Sequence, residues 1–387
     1  MKKKIIILGS TGSIGKNTIE IIRKDKKNFK IELLSTNRNI LSVVNQAKEF
    51  NVKNVIINDY NSFLNAKSMF SDLGINFYNS FSIIEKLFKK KTIDYSMVSL
   101  VGIDGLYPTI TIVKISKYVA IANKESIICG WFFIRKALQR FKTSFIPVDS
   151  EHFSIHSILK NNNDLIDHVI ITASGGPFLN LKKKNFKKIK MKDALKHPNW
   201  KMGEKITIDS STMMNKVFEV IEAKKIFNLK YKNISILTHP KSYVHSIIQF
   251  KNSLTKILIH EPDMKIPIFN SLYPNSIPKL SLKRINLDIL NNLYLKNVNK
   301  KKFPLVKILD HLSDNDSLYE TALVTINDFF VKKFLEGKID YLKLIFYIKN
   351  NSEKKDFIKF KKIFPKNISQ IYDTRDYVNY KLDFLDI

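Results

Sequence analysis

The residues that could do chemistry fall in a few short runs. Asp149-Ser150-Glu151-His152 directly follows an apolar, strand-like stretch, Phe145–Val148. In an extended segment residues i and i+2 point the same way. Asp149 and Glu151 can then face one cation together, with Ser150 on the other side. Two carboxylates plus substrate oxygens suit Mg²⁺ or Mn²⁺, and Glu219 offers a possible third. A surface turn with capping acids fits the same spacing. Asn123-Lys124-Glu125-Ser126 also follows a strand-like run. Ligands of open α/β sheets bind at the carboxyl ends of strands, so Lys124 and Asp149 are expected to line one crevice. A surface lysine before a capping Glu-Ser is the plainer alternative.

A second group of residues suits a small anion. Ser174-Gly175-Gly176-Pro177 follows the strand-like Val169–Thr172, and Asp209-Ser210-Ser211-Thr212-Met213-Met214-Asn215-Lys216 leads into a helix expected over Val217–Lys225. Hydroxyls, an amide and a lysine near a helix start can hold a phosphate; an N-cap serine and an ordinary helical lysine fit equally. Glu219, four residues after Asn215, shares its helix face. His197-Pro198-Asn199-Trp200-Lys201-Met202-Gly203 ends a lysine-rich connector, Lys182–Lys192. A Trp between Pro and Gly in such a connector suggests a lid over bound substrate, and a solvated basic loop is compatible with one.

The third run is Gly9-Ser10-Thr11-Gly12-Ser13-Ile14-Gly15, between a strand-like Lys4–Leu8 and a helix expected over Ile14–Arg23. Its G-x-x-G-x-x-G spacing only partly matches the dinucleotide fingerprint. The physical basis is the same: small residues let the backbone approach a pyrophosphate, and the helix N-terminus supplies N–H groups and partial positive charge. A ligand-free glycine turn is the alternative. An NAD site wants a carboxylate after the second strand. Here that strand, Ile31–Ser35, is followed by Thr36-Asn37-Arg38-Asn39. No acid is present and Arg38 suits a 2′-phosphate, which points to NADP; a solvated loop arginine fits as well.

These runs need a scaffold. Strands at Lys4–Leu8, Ile31–Ser35, Val55–Ile57, Tyr95–Leu100, Val119–Ala122 and Phe145–Val148 alternate with helical segments at Ser42–Phe50, Phe81–Phe88 and Ile110–Ile115. That alternation argues an α/β, Rossmann-like, doubly wound parallel sheet over residues 1–148. Val169–Thr172, Ile234–Thr238 and Ser246–Phe250 suggest strands of a second α/β unit over 149–273. Residues 274–299, with Pro274, Pro278 and many Asn, read as a linker, and 300–387 as mainly helical, Leu318–Leu335 most clearly.

Composition narrows the class. The 387 residues are 44% hydrophobic and 26% charged, the balance of an ordinary globular protein. No apolar stretch approaches the roughly 18–20 residues that span a bilayer, so no membrane partner is expected. Met1-Lys2-Lys3-Lys4 is followed by only four apolar residues, too few for a signal peptide. The single cysteine, Cys129, fits a reducing cytoplasm. The net charge of +30 raises nucleic acid as a partner. However, only six of the 65 basic residues are Arg and the lysines are spread along the chain, so compositional drift is favoured over a nucleic-acid footprint. Glycine is scarce at 11 residues, against roughly 27 at average usage, so its clusters mark places where a side chain does not fit.

Taken together, the motifs resemble the 1-deoxy-D-xylulose 5-phosphate reductoisomerase family. The resemblance rests on Gly9–Gly15, Ala122–Ser126, Pro147–His152, Ser174–Phe178, His197–Trp200, Met213–Lys216, His239-Pro240 and Glu261–Met264, in the family's order. The C-terminal third matches more loosely. The resemblance implies an N-terminal NADPH domain, a central catalytic domain that forms a homodimer and carries a lid at about 174–203, a linker, and a C-terminal helical bundle. It implies that Thr11, Gly12, Ser13 and Ile14 hold the pyrophosphate and that Asn37, Arg38 and Asn39 lie at the adenosine phosphate. Asn123, Glu125 and Gly203 would complete the cofactor site. Asp149, Glu151 and Glu219 would hold Mg²⁺, Mn²⁺ or Co²⁺. Ser174, His197, Ser210, Asn215 and Lys216 would hold an anionic sugar phosphate, and Ser150 and Lys124 would contact its reacting end. The implied reaction is rearrangement and NADPH reduction to 2-C-methyl-D-erythritol 4-phosphate, for isoprenoids. The chain departs from the family at Asn37 (usually Gly), Arg38 (usually Lys) and Val324-Thr325-Ile326-Asn327-Asp328 (usually Asn-Ala-Ala-Asn-Glu). A semialdehyde dehydrogenase of similar layout would need a nucleophilic cysteine, and Cys129 lies in an apolar stretch unsuited to that role.

Overall fold

The computed structural model describes residues 1–160, 164–274, 280 and 286–385. Strands and helices alternate through β1 (Lys3–Leu8), α1 (Ser13–Lys24), β2 (Phe29–Thr36), α2 (Ile40–Phe50), β3 (Asn54–Ile57), α3 (Tyr60–Met69), β4 (Asn76–Tyr78), α4 (Ile83–Leu87), β5 (Ile93–Val98), α5 (Leu106–Ile115), β6 (Ser116–Ile121), α6 (Lys124–Phe141) and β7 (Ser144–Pro147). Then come α7 (Ser150–Leu159), β8 (Ile166–Ala173), α8 (Met191–Ala194), α9 (Glu204–Thr212), α10 (Met214–Ile226), β9 (Ile234–Thr238), β10 (Val244–Phe250), β11 (Thr255–Ile259), α11 (Lys265–Leu272), α12 (Leu287–Asn291) and β12 (Lys296–Asn297). Four helices follow: α13 (Tyr319–Leu335), α14 (Tyr341–Ser352), α15 (Lys355–Ile358) and α16 (Ile368–Asp383).

The chain divides into two compact units. The first holds a seven-stranded sheet in the order β4-β3-β2-β1-β5-β6-β7, with every neighbouring pair parallel. This is the expected doubly wound sheet. Ile5, Ile6, Ile7 and Leu8 have no polar face, and all four are fully buried in β1, as a central parallel strand requires. The chain runs outward from β1 to β4, then returns to place β5 on the other side of β1. The carboxyl ends of β1 and β5 are therefore the switch point, where such sheets bind ligands. Three elements escape the sequence pattern: α3, β4 and α6. Only Ala66 of α3 is buried, so no apolar stripe announces it.

α11 belongs to this first unit, although its position in sequence suggested the central region. Ile268, Phe269 and Leu272 join the core formed by Ile5, Ile7, Ile19 and Ile22. Polar contacts reinforce it: Lys265 pairs with Glu20 at 2.7 Å, the Tyr95 and Ser271 hydroxyls lie 2.7 Å apart, and the Tyr273 hydroxyl donates to Asp25 at 2.6 Å.

The second unit is built on a mixed sheet, β11-β10-β8-β9-β12. β8 and β9 are parallel, and the remaining pairs are antiparallel. Ile155, Val169, Ile171, Val220, Ala223, Ile248 and Phe250 form its core. α13 is buried along most of its length and packs against α14, α16 and α9. The stretch expected as a linker is not all linker. Lys296 and Asn297 form β12, pairing with Thr238 and Leu237; Pro278 and the rest of 275–279 and 281–285 lie outside the described residues. Lys182–Lys192 is also more ordered than a loop. It folds as a 3₁₀ turn, Lys183–Lys188, followed by α8, because Phe186 is buried against Phe178 and Tyr341.

Candidate active site

In the first unit, packing alone accounts for two glycines of the N-terminal turn. Gly9 has φ +81°, and a Cβ there would lie 2.4 Å from the Ser99 carbonyl oxygen. A Cβ on Gly15 would lie 2.3 Å from the Gly9 oxygen. Gly12 is different. Its φ is −77°, and a Cβ would meet only the Gly9 oxygen at 3.5 Å, an ordinary contact. Gly12 is the N-cap of α1, gives it no side-chain cap, and is followed by no acid in the first turn. With no cap from Gly12 and no acid in the first turn, the partial positive charge of the helix start is not offset by either, which suits a pyrophosphate. Thr11 is tied back by its hydroxyl to Thr36, 2.7 Å away.

Beyond β2, Arg38 donates from Nε to Asp59 at 3.1 Å, and the Asn39 side chain caps α2 by accepting from the Ser42 N–H. Asn123 is spent inside the protein. Its Oδ1 caps α6 through Ser126 N–H, and its Nδ2 reaches the Leu100 and Gly102 carbonyls and Glu125 at 3.0–3.1 Å. Asn123 and Glu125 are buried, so they shape the loop after β5.

Lys124 opens α6 after β6, and Asp149 follows β7. These strands are parallel neighbours, so their carboxyl ends bring the two side chains together, with Lys124 Nζ 2.5 Å from Asp149 Oδ2. His152 Nδ1 lies 3.2 Å from the other carboxylate oxygen. Burial alone would raise the Asp149 pKa, but Lys124 and then His152 outweigh it and hold the group well below the usual carboxylate range. The expectation that Asp149–Glu151 runs extended is wrong. The Asp149 carbonyl accepts from Phe153 N–H at 2.8 Å, and its side chain accepts from Glu151 N–H at 3.3 Å. Asp149 is thus an N-cap, and Glu151 lies in the first turn of α7 with Ser150 bonded to its carboxylate. Carboxylates are stabilised at a helix N-terminus, which is why this sequence turns helical there.

The second unit carries the residues expected to bind an anion. β8 ends at Ala173, and the next residue, Ser174, places its hydroxyl 3.1 Å from His197 Nε2. His197 Nδ1 accepts the N–H groups of Asn199 and Trp200 at 3.2 and 2.9 Å, so the ring proton sits on Nε2. Burial, then the charge of Lys216, pushes its pKa down to about 4. His197 is therefore a neutral N–H donor at pH 7. The Trp200 indole stands edge-on to His245, with centroids 6.3 Å apart.

Ser210 was expected near a helix start; it lies instead in the last turn of α9. Met213, at φ +67°, ends that helix and begins α10. Asn215 and Lys216 occupy the first turn of α10, and both hold Glu219: Asn215 Nδ2 donates to one oxygen and Lys216 Nζ lies 2.5 Å from the other. Lys216 and Glu219 are both buried. Below Ser210, the buried Asp209 accepts from Asn327 Nδ2 of α13 at 2.8 Å, while Lys205 and Asp328 pair at 3.0 Å. The altered segment 324–328 thus braces the helix that presents Ser210.

Two supporting residues have no assigned role in the sequence reading: Asp59, which it does not name, and Asn327, which it names only within the altered segment 324–328. The Asp-Tyr-Asn-Ser run at 59–62 is a visible N-cap signature, but the partner Arg38 follows only from β2–β3 register. Nothing local marks Asn327.

Family profiles match most of the chain: 1-deoxy-D-xylulose 5-phosphate reductoisomerase at residues 5–130, its C-terminal domain at 145–227, and the DXP reductoisomerase C-terminal domain at 259–379. The last match covers the region whose motifs are loose. A reductoisomerase of this name from Pelagibacter ubique is 53% identical over 387 residues, all of both chains. The crystal structure of the Zymomonas mobilis enzyme with NADPH aligns at TM-score 0.87 and 26% identity over 98% of both chains. A DOX-P reductoisomerase with NADPH, fosmidomycin and magnesium aligns at 0.89 and 27%, again over 98% of both. Fold, motif order and full-length likeness agree: the chain belongs to the 1-deoxy-D-xylulose 5-phosphate reductoisomerase family.

Proposed function

We propose that this chain is an NADPH- and divalent-metal-dependent reductoisomerase that converts 1-deoxy-D-xylulose 5-phosphate to 2-C-methyl-D-erythritol 4-phosphate in non-mevalonate isoprenoid biosynthesis. The observation that carries the reading is that the likeness to a reductoisomerase extends over all 387 residues of this chain.

The donor chemistry of both units suits the bound groups. Asp149, Glu151 and Glu219 are hard oxygen donors, the set that Mg²⁺ or Mn²⁺ takes, and Asp149 stays ionised because Lys124 and His152 face it. The uncapped start of α1 at Gly12 suits the coenzyme pyrophosphate. When bound, NADPH supplies a hydride and the cation a Lewis acid.

The remaining roles are the chain's own. Lys124 stabilises negative charge developing on a substrate oxygen, and Asp149 holds its ammonium in place. Ser150 orients a substrate hydroxyl. Ser174, Ser210, Asn215 and Lys216 hold the phosphate end, joined by His197 as a neutral donor. Anchored there, the pieces of the carbon skeleton stay together while one C–C bond breaks and another forms. Trp200, on the connector that ends at Gly203, keeps water from the reduction.

A homodimer, a cytoplasmic setting, Mn²⁺ or Co²⁺ in place of Mg²⁺, and the division at 148, 273 and 299 are carried as parts of the same proposal, on the family likeness. No helix among the described residues is long and apolar enough to cross a membrane. The deciding experiment follows NADPH absorbance with deoxyxylulose phosphate, with and without Mg²⁺ or Mn²⁺. Metal-dependent loss of absorbance supports the reading; its absence overturns it.

A further inference from the structure

We propose that Asp59 is a positioning residue for coenzyme choice: it holds the Arg38 guanidinium so that its terminal amino groups meet the 2′-phosphate of NADPH. The inference rests on the reading of Arg38 as the 2′-phosphate ligand.

The two residues are 21 apart in sequence, and the register of two parallel strands brings them together. Past the ends of β2 and β3, the loops are stitched by Asn58 N–H to the Thr36 carbonyl at 3.0 Å and Asp59 N–H to the Asn37 carbonyl at 3.2 Å. The Arg38 carbonyl accepts from Ile40 N–H at 2.9 Å, which fixes the backbone around Arg38. The Asp59 carboxylate divides its work. Oδ1 caps α3 by accepting from Ser62 N–H at 3.0 Å, and Oδ2 accepts from Arg38 Nε at 3.1 Å. The Ser62 N–H, then Arg38, keep the Asp59 pKa low, so the acceptor is charged at any working pH.

The choice of nitrogen matters. Bonding through Nε fixes the guanidinium plane and leaves the terminal amino groups for a second anion, the fork that suits phosphate. Without Asp59 the Arg38 side chain, 77% exposed, would have to be ordered by the coenzyme itself. NADH has no 2′-phosphate and does not need that order.

The test measures Kd for NADPH and NADH by coenzyme fluorescence, without substrate or metal, in the unaltered protein, Asp59→Asn and Arg38→Ala. Asn at position 59 keeps an oxygen to cap α3 and removes the acceptor for Nε; thermal unfolding checks that the fold is retained. Asp59→Asn is expected to raise the NADPH Kd by roughly three- to tenfold, the range set by ordering one long side chain on binding, and to leave the NADH Kd unchanged. Arg38→Ala is expected to raise the NADPH Kd by about tenfold or more. If Arg38→Ala shifts the NADPH-to-NADH ratio and Asp59→Asn does not, or tightens NADPH, the positioning role is overturned and Arg38 stands alone. If Arg38→Ala leaves the ratio unmoved, the reading of Arg38 falls, and Asp59 with it.

Discussion

Lys124 reaches Asp149 across 25 residues of sequence, whereas Lys216 reaches Glu219 within one turn of a single helix. Both pairs set an ammonium from the first turn of a helix 2.5 Å from a carboxylate. The first exists only because β6 and β7 are parallel neighbours whose carboxyl ends point the same way; it is a product of the sheet. The second is a product of i,i+3 spacing and would form in any α10. The first pair is the more exposed: the Lys124 and Asp149 side chains are 11% and 20% exposed, against 7% and 2% for Lys216 and Glu219. A lysine built on the carboxyl edge of the parallel sheet suits chemistry on a substrate that comes and goes, and the buried lysine of the helix-built pair suits anchoring.

That contrast can be broken by mutation. The largest effect is expected for the carboxylates: Glu151→Gln and Glu219→Gln should each lower metal-dependent kcat on the order of a thousandfold, with NADPH Kd by fluorescence nearly unchanged. Unchanged turnover in either would remove that residue from the mechanism. Next, Lys124→Ala should cost kcat on the order of a hundredfold, while Lys216→Ala should act mainly on KM, by roughly tenfold. Equal kcat losses in steady-state assays would erase the distinction drawn between the pairs. Asn327→Ala should raise substrate KM roughly threefold and lower the unfolding temperature, because the buried Asp209 loses a donor.

The smallest effect concerns pH. His197 has an ordinary pKa of 6.5 when unfolded and about 4 when folded. Between those values the unfolded chain binds more protons, so stability falls as pH drops from 6.5 towards 4. His197→Gln removes that term and should shrink the loss of Tm between pH 7 and 5 by on the order of 2 °C in a thermal melt. Asp149 acts at lower pH: its depressed pKa stabilises the fold above the ordinary carboxylate value, and that stability is lost as pH falls through the folded value.

Much of this was legible in the residues. The run of isoleucines before Gly9 and the glycine spacing after it place β1, the turn and α1, because both signals are local. The acids at 149 and 151 were identified by type and by following a strand, but their geometry was misjudged. An acid after a strand fits an extended run as well as a helix cap, and only the backbone bond from Phe153 decides it. Ser210 was misplaced for a related reason: Met213 breaks the helix in the left-handed region, where a non-glycine residue leaves no signal in sequence. Asp59 and Asn327 depend on contacts across 21 and 118 residues, and a single chain read in order does not contain that information.

The return of α11 to the first core sets a timetable for synthesis. Ile268, Phe269 and Leu272 leave the ribosome only after the whole central region has been made, some 6 to 25 seconds after residue 148 at about 5–20 residues per second. Through that interval the nascent first unit shows an apolar seam beside Ile19 and Ile22, the residues against which α11 packs. A fragment cut at the end of β7 would carry the same open seam permanently, so the first unit is expected to mature as a late product of the full chain.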